Sequence, residues 1–188
     1  MLSEQLQATI TDWIAHDPDE ATAAELSSLY DEAKAANPDA IASLESRFAG
    51  PLEFGTAGLR GVVAAGQSRM NRATVIRATA GLVAHLKNIV GDDFTVVIGC
   101  DARHGSADFH RDAAAVVAAA GGKALALPQQ LPTPVTAFAV RHLNADAGIM
   151  VTASHNPPKD NGYKVYLGGR AVESDSRRGV QIIAPHDK

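Results

Sequence analysis

The chain has 188 residues, of which 46% are apolar and 20% charged, proportions that suit one well-filled globular domain better than two small ones. The net charge is −4 and Lys and Arg are scattered rather than gathered in a stripe, so nucleic acid is not an expected partner. A single cysteine, Cys100, excludes an internal disulfide framework, and its place at the end of an apolar strand reads as a small buried residue rather than a nucleophile.

The N-terminal "MLSEQLQATITDW" lacks the cationic start and apolar core of a signal peptide. Ser3 can cap a first helix that carries Leu6, Ile10, Trp13 and Ile14 on one face. Asp17 before Pro18 and Glu20 reads as a second helix start, with proline at the first position and the acid three after the cap. Asn37-Pro38 repeats the pattern ahead of Ile41, Leu44 and Phe48. Residues 1–50 are therefore expected to form an N-terminal helical extension, with the main domain over 51–188.

"FGTAGLRG" at 54 to 61 breaks the periodicity with three glycines. Asn71 can cap a long helix to about Val90, since Val75, Thr79, Leu82, Val83 and Leu86 share a face. "FTVVIGC" reads as a buried strand, 107 to 120 as a helix ending at Gly121-Gly122, and "KALAL" as a short strand. The Ala-rich tract Ala113 to Ala120 is the longest apolar run and is far too short to span a bilayer. A proline-started helix in "LPTPVTAFAVRHL" and a third strand in "DAGIMVT" follow. Asn161-Gly162 is a turn signal feeding the alternating "YKVYL", a strand expected to run antiparallel at an edge. The expectation is a soluble, cytoplasmic α/β protein, a three-layer αβα sandwich on a mixed, mostly parallel sheet. "LGGRAVESDSRRGVQ" is long and charged for a hairpin and reads as flexible. The final "GVQIIAPHDK", with apolar Ile182 and Ile183 and then a possible helix cap, reads as a cut before a further helix.

In open α/β sheets ligands gather outside the carboxyl ends of the strands. Ser154 lies just past such an end, in "TASHNPP", where Pro157 and Pro158 stiffen the loop. His155 beside it suggests a serine hydrolase, but neighbours on an extended chain point to opposite sides and there is no G-x-S-x-G elbow. A Thr/Ser turn with an Asn cap, a satisfied histidine or a rigid hairpin connector remains the bland alternative. Arg60 in the glycine-rich stretch offers a planar fork for phosphate, although such stretches are more often only turns, and the reading gains weight if Arg60 shares a cleft with Ser154. Lys164 is either a solubilising edge charge or a proton-transfer group whose pKa follows burial or a nearby phosphate. Asp101, Arg103 and Ser106 follow a strand end, where an Asp and an Arg two apart more often tie a loop down than bind a ligand. His85, His104, His110, His142 and His186 have no metal-ligand spacing.

"TASHNP" at 152 to 157, with "GIMV" before it and "NGYKVY" after, resembles the phosphoserine loop of the α-D-phosphohexomutases, the phosphoglucomutases and phosphomannomutases. "FGTAGLRG", "SRMNRATV", "IGCDAR" and "PTPVTAFAV" match that family in the same order, from about Leu52 to Lys188. "EFGTAGLRG", "DNGYKVY" and "GVQIIAPHD" look most like the subgroup that also holds phosphopentomutases and sugar-1,6-bisphosphate synthases. The resemblance implies a phosphosugar mutase in which Ser154 carries the phosphoryl group and a bisphosphate intermediate turns round between two transfers. It implies Arg60 beside the phosphoserine, Lys164 as general acid and base, and His155 as a substrate or phosphate contact. It also implies Mg²⁺ bound through the phosphate of Ser154, glucose 1,6-bisphosphate as activator, and phosphorylated sugars as partners. The family's enzymes have four domains round one cleft, so this chain would be the first of them, paired with the remaining domains of one polypeptide and inactive alone. A non-catalytic phosphosugar-binding fragment is the alternative from another class.

Overall fold

The computed structural model of the chain describes residues 1–55 and 58–182. Thr56 and Ala57 of the glycine-rich stretch lie outside the described residues, as do Ile183, His186 and the proposed cut after them.

Three helices open the chain, each begun by a side chain that accepts from an otherwise unpaired amide. In α1 (Glu4–His16) the Ser3 hydroxyl accepts from the Leu6 amide, as expected. In α3 (Pro38–Arg47) Asn37 Oδ1 accepts from the amides of Asp39 and Ala40, with Pro38 at the first position. The start of α2 (Glu20–Lys34) differs from expectation, because its cap is Asp19 and not Asp17. The Asp17 carboxylate is taken by Trp13 Nε1 at 3.1 Å and the Asp19 amide at 3.0 Å, which leaves Pro18 outside the helix. These helices close their own apolar core around Ile10, Trp13, Leu26, Leu44 and Phe48, joined by Ala65 and Ala73 from the chain that follows.

The rest is one sheet with helices on both faces. Its strands are β1 (Leu59–Val62), β2 (Thr95–Cys100), β3 (Lys123–Ala126), β4 (Ala147–Val151), β5 (Asp160–Leu167) and β6 (Val180–Gln181). The order is β1-β5-β4-β2-β3, with β6 also paired to β5. Helices α4 (Arg72–Val90) and α5 (Ser106–Ala119) cover one face, where Val75, Val83, Leu86, Phe109, Ala113 and Val117 meet Val96, Ile98, Ile149, Val151, Tyr163 and Val165. On the other face Ala139 and Val140 of α6 (Thr133–His142) meet Val97, Met150 and Tyr166. Alternate residues of β2, β4 and β5 thus serve opposite helical layers, as a two-residue period requires.

The sheet is mixed, as the sequence implies, but its antiparallel share is larger. Strands β2, β3 and β4 are parallel, whereas β5 runs antiparallel to β4, β1 and β6. β5 is therefore an interior strand and not an edge. β1 escaped the sequence reading because its neighbouring glycines hide the alternation. Asn161-Gly162 is not the turn; both lie inside β5, opposite Gly61 and Arg60 of β1. The reversal comes earlier, where Asn156 N donates to Ala153 O and Asp160 N to Pro157 O. Asn161 instead spends its side chain on tertiary bonds, donating to His104 O and Ser106 Oγ at 2.9 Å each. The charged segment after β5 is fastened by Arg170 to Asp146 and Asp93, and by Arg141 to Asp175.

Candidate active site

Strand β4 is buried throughout and delivers the chain to the carboxyl edge of the sheet. Thr152 and Ala153 remain buried, and Ser154 is the first exposed residue. Its backbone is left-handed, with φ +57°. For an L-residue other than glycine this conformation costs about 1–2 kcal/mol and persists only where surroundings impose it. The chain is therefore curled at Ser154, so the alternation argument that set His155 on the opposite side does not apply. His155 is exposed on the same loop.

The surroundings that impose this conformation are polar. Thr152 Oγ1 accepts from the Ser154 amide at 2.9 Å, and Asn156 Nδ2 donates to Asp160 Oδ2 at 3.0 Å. Arg103 reaches in from the loop after β2. Its Nη1 donates to Pro157 O and Asp160 O, and its Nη2 to Ser154 O and Asn156 O, at 2.8–3.0 Å. Asp101 in turn holds Arg103, accepting from its amide at 3.0 Å and lying 3.4 Å from its Nε. Ser106 Oγ donates to the same carboxylate at 2.7 Å and accepts from Asn161 at the start of β5. The sequence showed an Asp-x-Arg after a strand. It held no sign that the arginine's partners lie 51 to 57 residues later.

Arg60 and Lys164 stand on adjacent strands. Register places Arg60 opposite Gly162, two residues before Lys164 on β5, so both side chains leave the same face of the sheet. Gly162 is required there: a Cβ would lie 2.6 Å from both Leu59 O and Thr152 O, and 3.1 Å from Arg60 Cγ. Gly58, at φ +88°, is required too, since its Cβ would lie 2.4 Å from Tyr163 O and 3.2 Å from Lys164 Cγ. These glycines let the arginine stretch lie flat against the lysine strand. Arg60 Nη1 then donates to Asn156 Oδ1 at 3.0 Å, which ties it to the Ser154 loop, while its buried Nε has no partner among the described residues.

Lys164 is 9% exposed, on interior strand β5 and opposite Met150 of β4, so it is no edge charge. Burial, and after it the positive charge of Arg60, holds its pKa below the ordinary lysine range. Cys100 is buried as expected, and burial pushes its thiol up, away from reactivity. Among the described residues no group of three or more His, Cys, Asp or Glu could hold a metal ion. Nor is any helix among them long and apolar enough to cross a membrane.

This arrangement matches a known family. Residues 51–186 fit the model described as phosphoglucomutase/phosphomannomutase, alpha/beta/alpha domain I. A "Probable phosphomannomutase" of Haemophilus influenzae is 50% identical over 63% of this chain and 23% of its own length. A "Probable phosphoribomutase" of Schizosaccharomyces pombe is 40% identical over 97% of this chain and 29% of its own. A crystal structure from Thermus thermophilus, provisionally named a phosphomannomutase, superposes with a TM-score of 0.62 at 36% identity, covering 73% of this chain and 28% of that one. The chain spans about a quarter of the length of the curated relatives it matches. By the match over most of its length and the ordered fit of its strands and loops, the chain belongs to the phosphoglucomutase/phosphomannomutase family.

Proposed function

We propose that this chain is the phosphoserine-bearing first domain of a longer phosphosugar mutase, which moves a phosphoryl group between the 1-position and the terminal hydroxyl of a sugar. One observation carries the reading. Arg60 and the buried Lys164 leave the same face of the sheet on adjacent strands, and Arg60 donates to Asn156 of the loop that carries exposed Ser154. Two neighbouring, desolvated cations are costly unless an anion joins them, and a phosphate is an anion of the right charge and geometry.

In this reading phosphorylated Ser154 is the donor. A sugar hydroxyl oxygen forms a bond to phosphorus as the bond from phosphorus to Ser154 Oγ breaks, and the hydroxyl proton passes to neutral Lys164 Nζ. The second transfer reverses these events at the other end of the sugar: phosphorus returns to Ser154 Oγ and Lys164 returns the proton. Lys164's depressed pKa enlarges the neutral fraction that accepts a proton, and Arg60 offsets charge on the transferring group. In the same reading His155, exposed on the loop, would contact the sugar phosphate. Ser154 would contribute a phosphate oxygen to a Mg²⁺ ion whose other ligands lie outside the described residues. When bound, that ion neutralises charge on the phosphoryl oxygens. The remaining domains of the same polypeptide and a cytoplasmic setting belong to the same proposal.

A pentose substrate is the second reading. It is favoured by the match that takes in nearly the whole chain, helices α1–α3 included, which is to a relative named for ribose phosphate. The human relative named phosphopentomutase is 42% identical over 77% of the chain. Mass mapping of the Ser154 peptide, with and without glucose 1,6-bisphosphate and Mg²⁺, tests the chemistry. A phosphate on Ser154 is expected. A bare serine in the full-length protein under every condition would sink the reading and leave a phosphosugar-binding module. Comparing turnover of glucose 1-phosphate and ribose 1-phosphate by the full-length protein then assigns the sugar.

A further inference from the structure

We propose that Arg103 is the positioning residue of this site. It holds Ser154 in its left-handed conformation by hydrogen-bonding four carbonyls, and it does so without touching the phosphate. The inference rests on the reading of Ser154 as phosphoryl carrier and adds the device that aims it.

The geometry separates the two arginines. Both terminal nitrogens of Arg103 are fully used, two bonds each, on the carbonyls of Ser154, Asn156, Pro157 and Asp160. Its Nε faces Asp101 Oδ2 at 3.4 Å, which balances its charge. All four Nη donors are thus spent on the protein and the fifth, on Nε, faces a carboxylate. Arg60 is the opposite case: among the described residues it makes a single bond, to Asn156, and its buried Nε has no partner. Among those residues one arginine is therefore spent on the protein, and the other has a donor to spare.

The four carbonyls, three from the loop and one from Asp160 at the start of β5, converge on one cation. Without that cation their dipoles would repel one another and turn outward to water. Ser154 would then be free to relax from φ +57° to the extended region that a serine prefers. Its hydroxyl would then lose its fixed direction. A displacement of about 1 Å in a reacting group can lower a rate by about 100-fold. A lysine cannot replace this fork, because it is a point charge with three donors for four acceptors.

The test uses Arg103→Lys in the full-length protein, with two readouts. Amide hydrogen exchange over 154–160 should quicken about 10-fold or more, while Thr95–Cys100 exchanges as in the wild type. kcat should fall about 100-fold with KM for the sugar phosphate held, since positioning acts on the transition state. Unchanged loop exchange would overturn the proposal, as would a quickened loop with kcat intact. A raised KM with kcat intact would instead make Arg103 a substrate ligand, which also overturns it. A wild-type Ser154 that never accepts phosphate would remove the functional reading and this proposal together. If the lysine variant exchanges throughout the sheet, the wild type still decides by NMR of the Arg103 guanidinium. Slow exchange of its Nη protons and hindered rotation about Cζ–Nε are expected, and freely rotating, fast-exchanging Nη groups would refute the clamp.

Discussion

The α1–α3 layer and the 152–160 loop are held by different forces. The helical layer rests on local signals and apolar burial: caps at Ser3, Asp19 and Asn37, and a core in which Ile10, Leu26 and Leu44 are fully buried. The loop contributes little apolar surface and is set by hydrogen bonds: Arg103 donates to it from far away in the chain, Thr152 Oγ1 accepts from the Ser154 amide, and Asn156 donates to Asp160. Burial is non-directional and tolerates approximation, whereas a hydrogen-bonded cage has one geometry. The difference teaches where precision is needed: the helices have only to stay folded, while the serine has to point.

The sharpest way to break this comparison is to damage each region alone. Leu26→Ala leaves a cavity in the helical layer and should cost about 2–5 kcal/mol in urea unfolding, with phosphate uptake at Ser154 unchanged below the transition. Lost uptake in the folded variant would show that the layer and the loop are coupled. Gly162→Ala forces a Cβ against two carbonyl oxygens and the Arg60 side chain, at an expected cost of about 1–3 kcal/mol. Unlike the leucine variant, it should lower Ser154 phosphorylation well beyond its loss of stability, because Arg60 is displaced; equal losses would mean that Arg60 has no part in the transfer. Asn37→Ala removes a cap that serves two amides and should cost about 1 kcal/mol, read as a shift in the urea midpoint with no change at the loop.

The smallest effect separates the regions by pH. Lys164 has a folded pKa below its ordinary value, because its protonated form is desolvated in the folded state and freely hydrated in the unfolded one. As pH rises from that folded pKa toward the ordinary lysine range, the folded state releases its proton first, and stability rises through that window. Lys164→Met should be the more stable protein at pH 7 and should lose this part of the rise, measured by urea unfolding at pH 7 and pH 10. A variant no more stable at pH 7 would mean that Lys164 is not strained by burial. Stability gained together with activity lost would mark a residue kept for chemistry.

Much was legible in the residues. Short-range physics determined the helix starts at Ser3, Asn37 and Asn71, the buried strands 95–100 and 147–151, and the alternation of β5. Motif spacing singled out Ser154, Arg60 and Lys164, because a small hydroxyl at a strand end and a glycine-flanked arginine leave marks in a few consecutive residues. Tertiary structure alone decided the rest. It moved the α2 cap to Asp19, since Trp13 claims Asp17; it made β5 interior by adding β1 and β6; and it turned Asn161-Gly162 from a turn signal into a strand that a neighbouring arginine can cross. It also gave Arg103 its four carbonyls and Ser154 its left-handed backbone. The reason is range: caps and amphipathic faces are set by bonds within a turn or two of the chain, but a guanidinium finds partners some fifty residues away only after the sheet has brought two loops to the same edge.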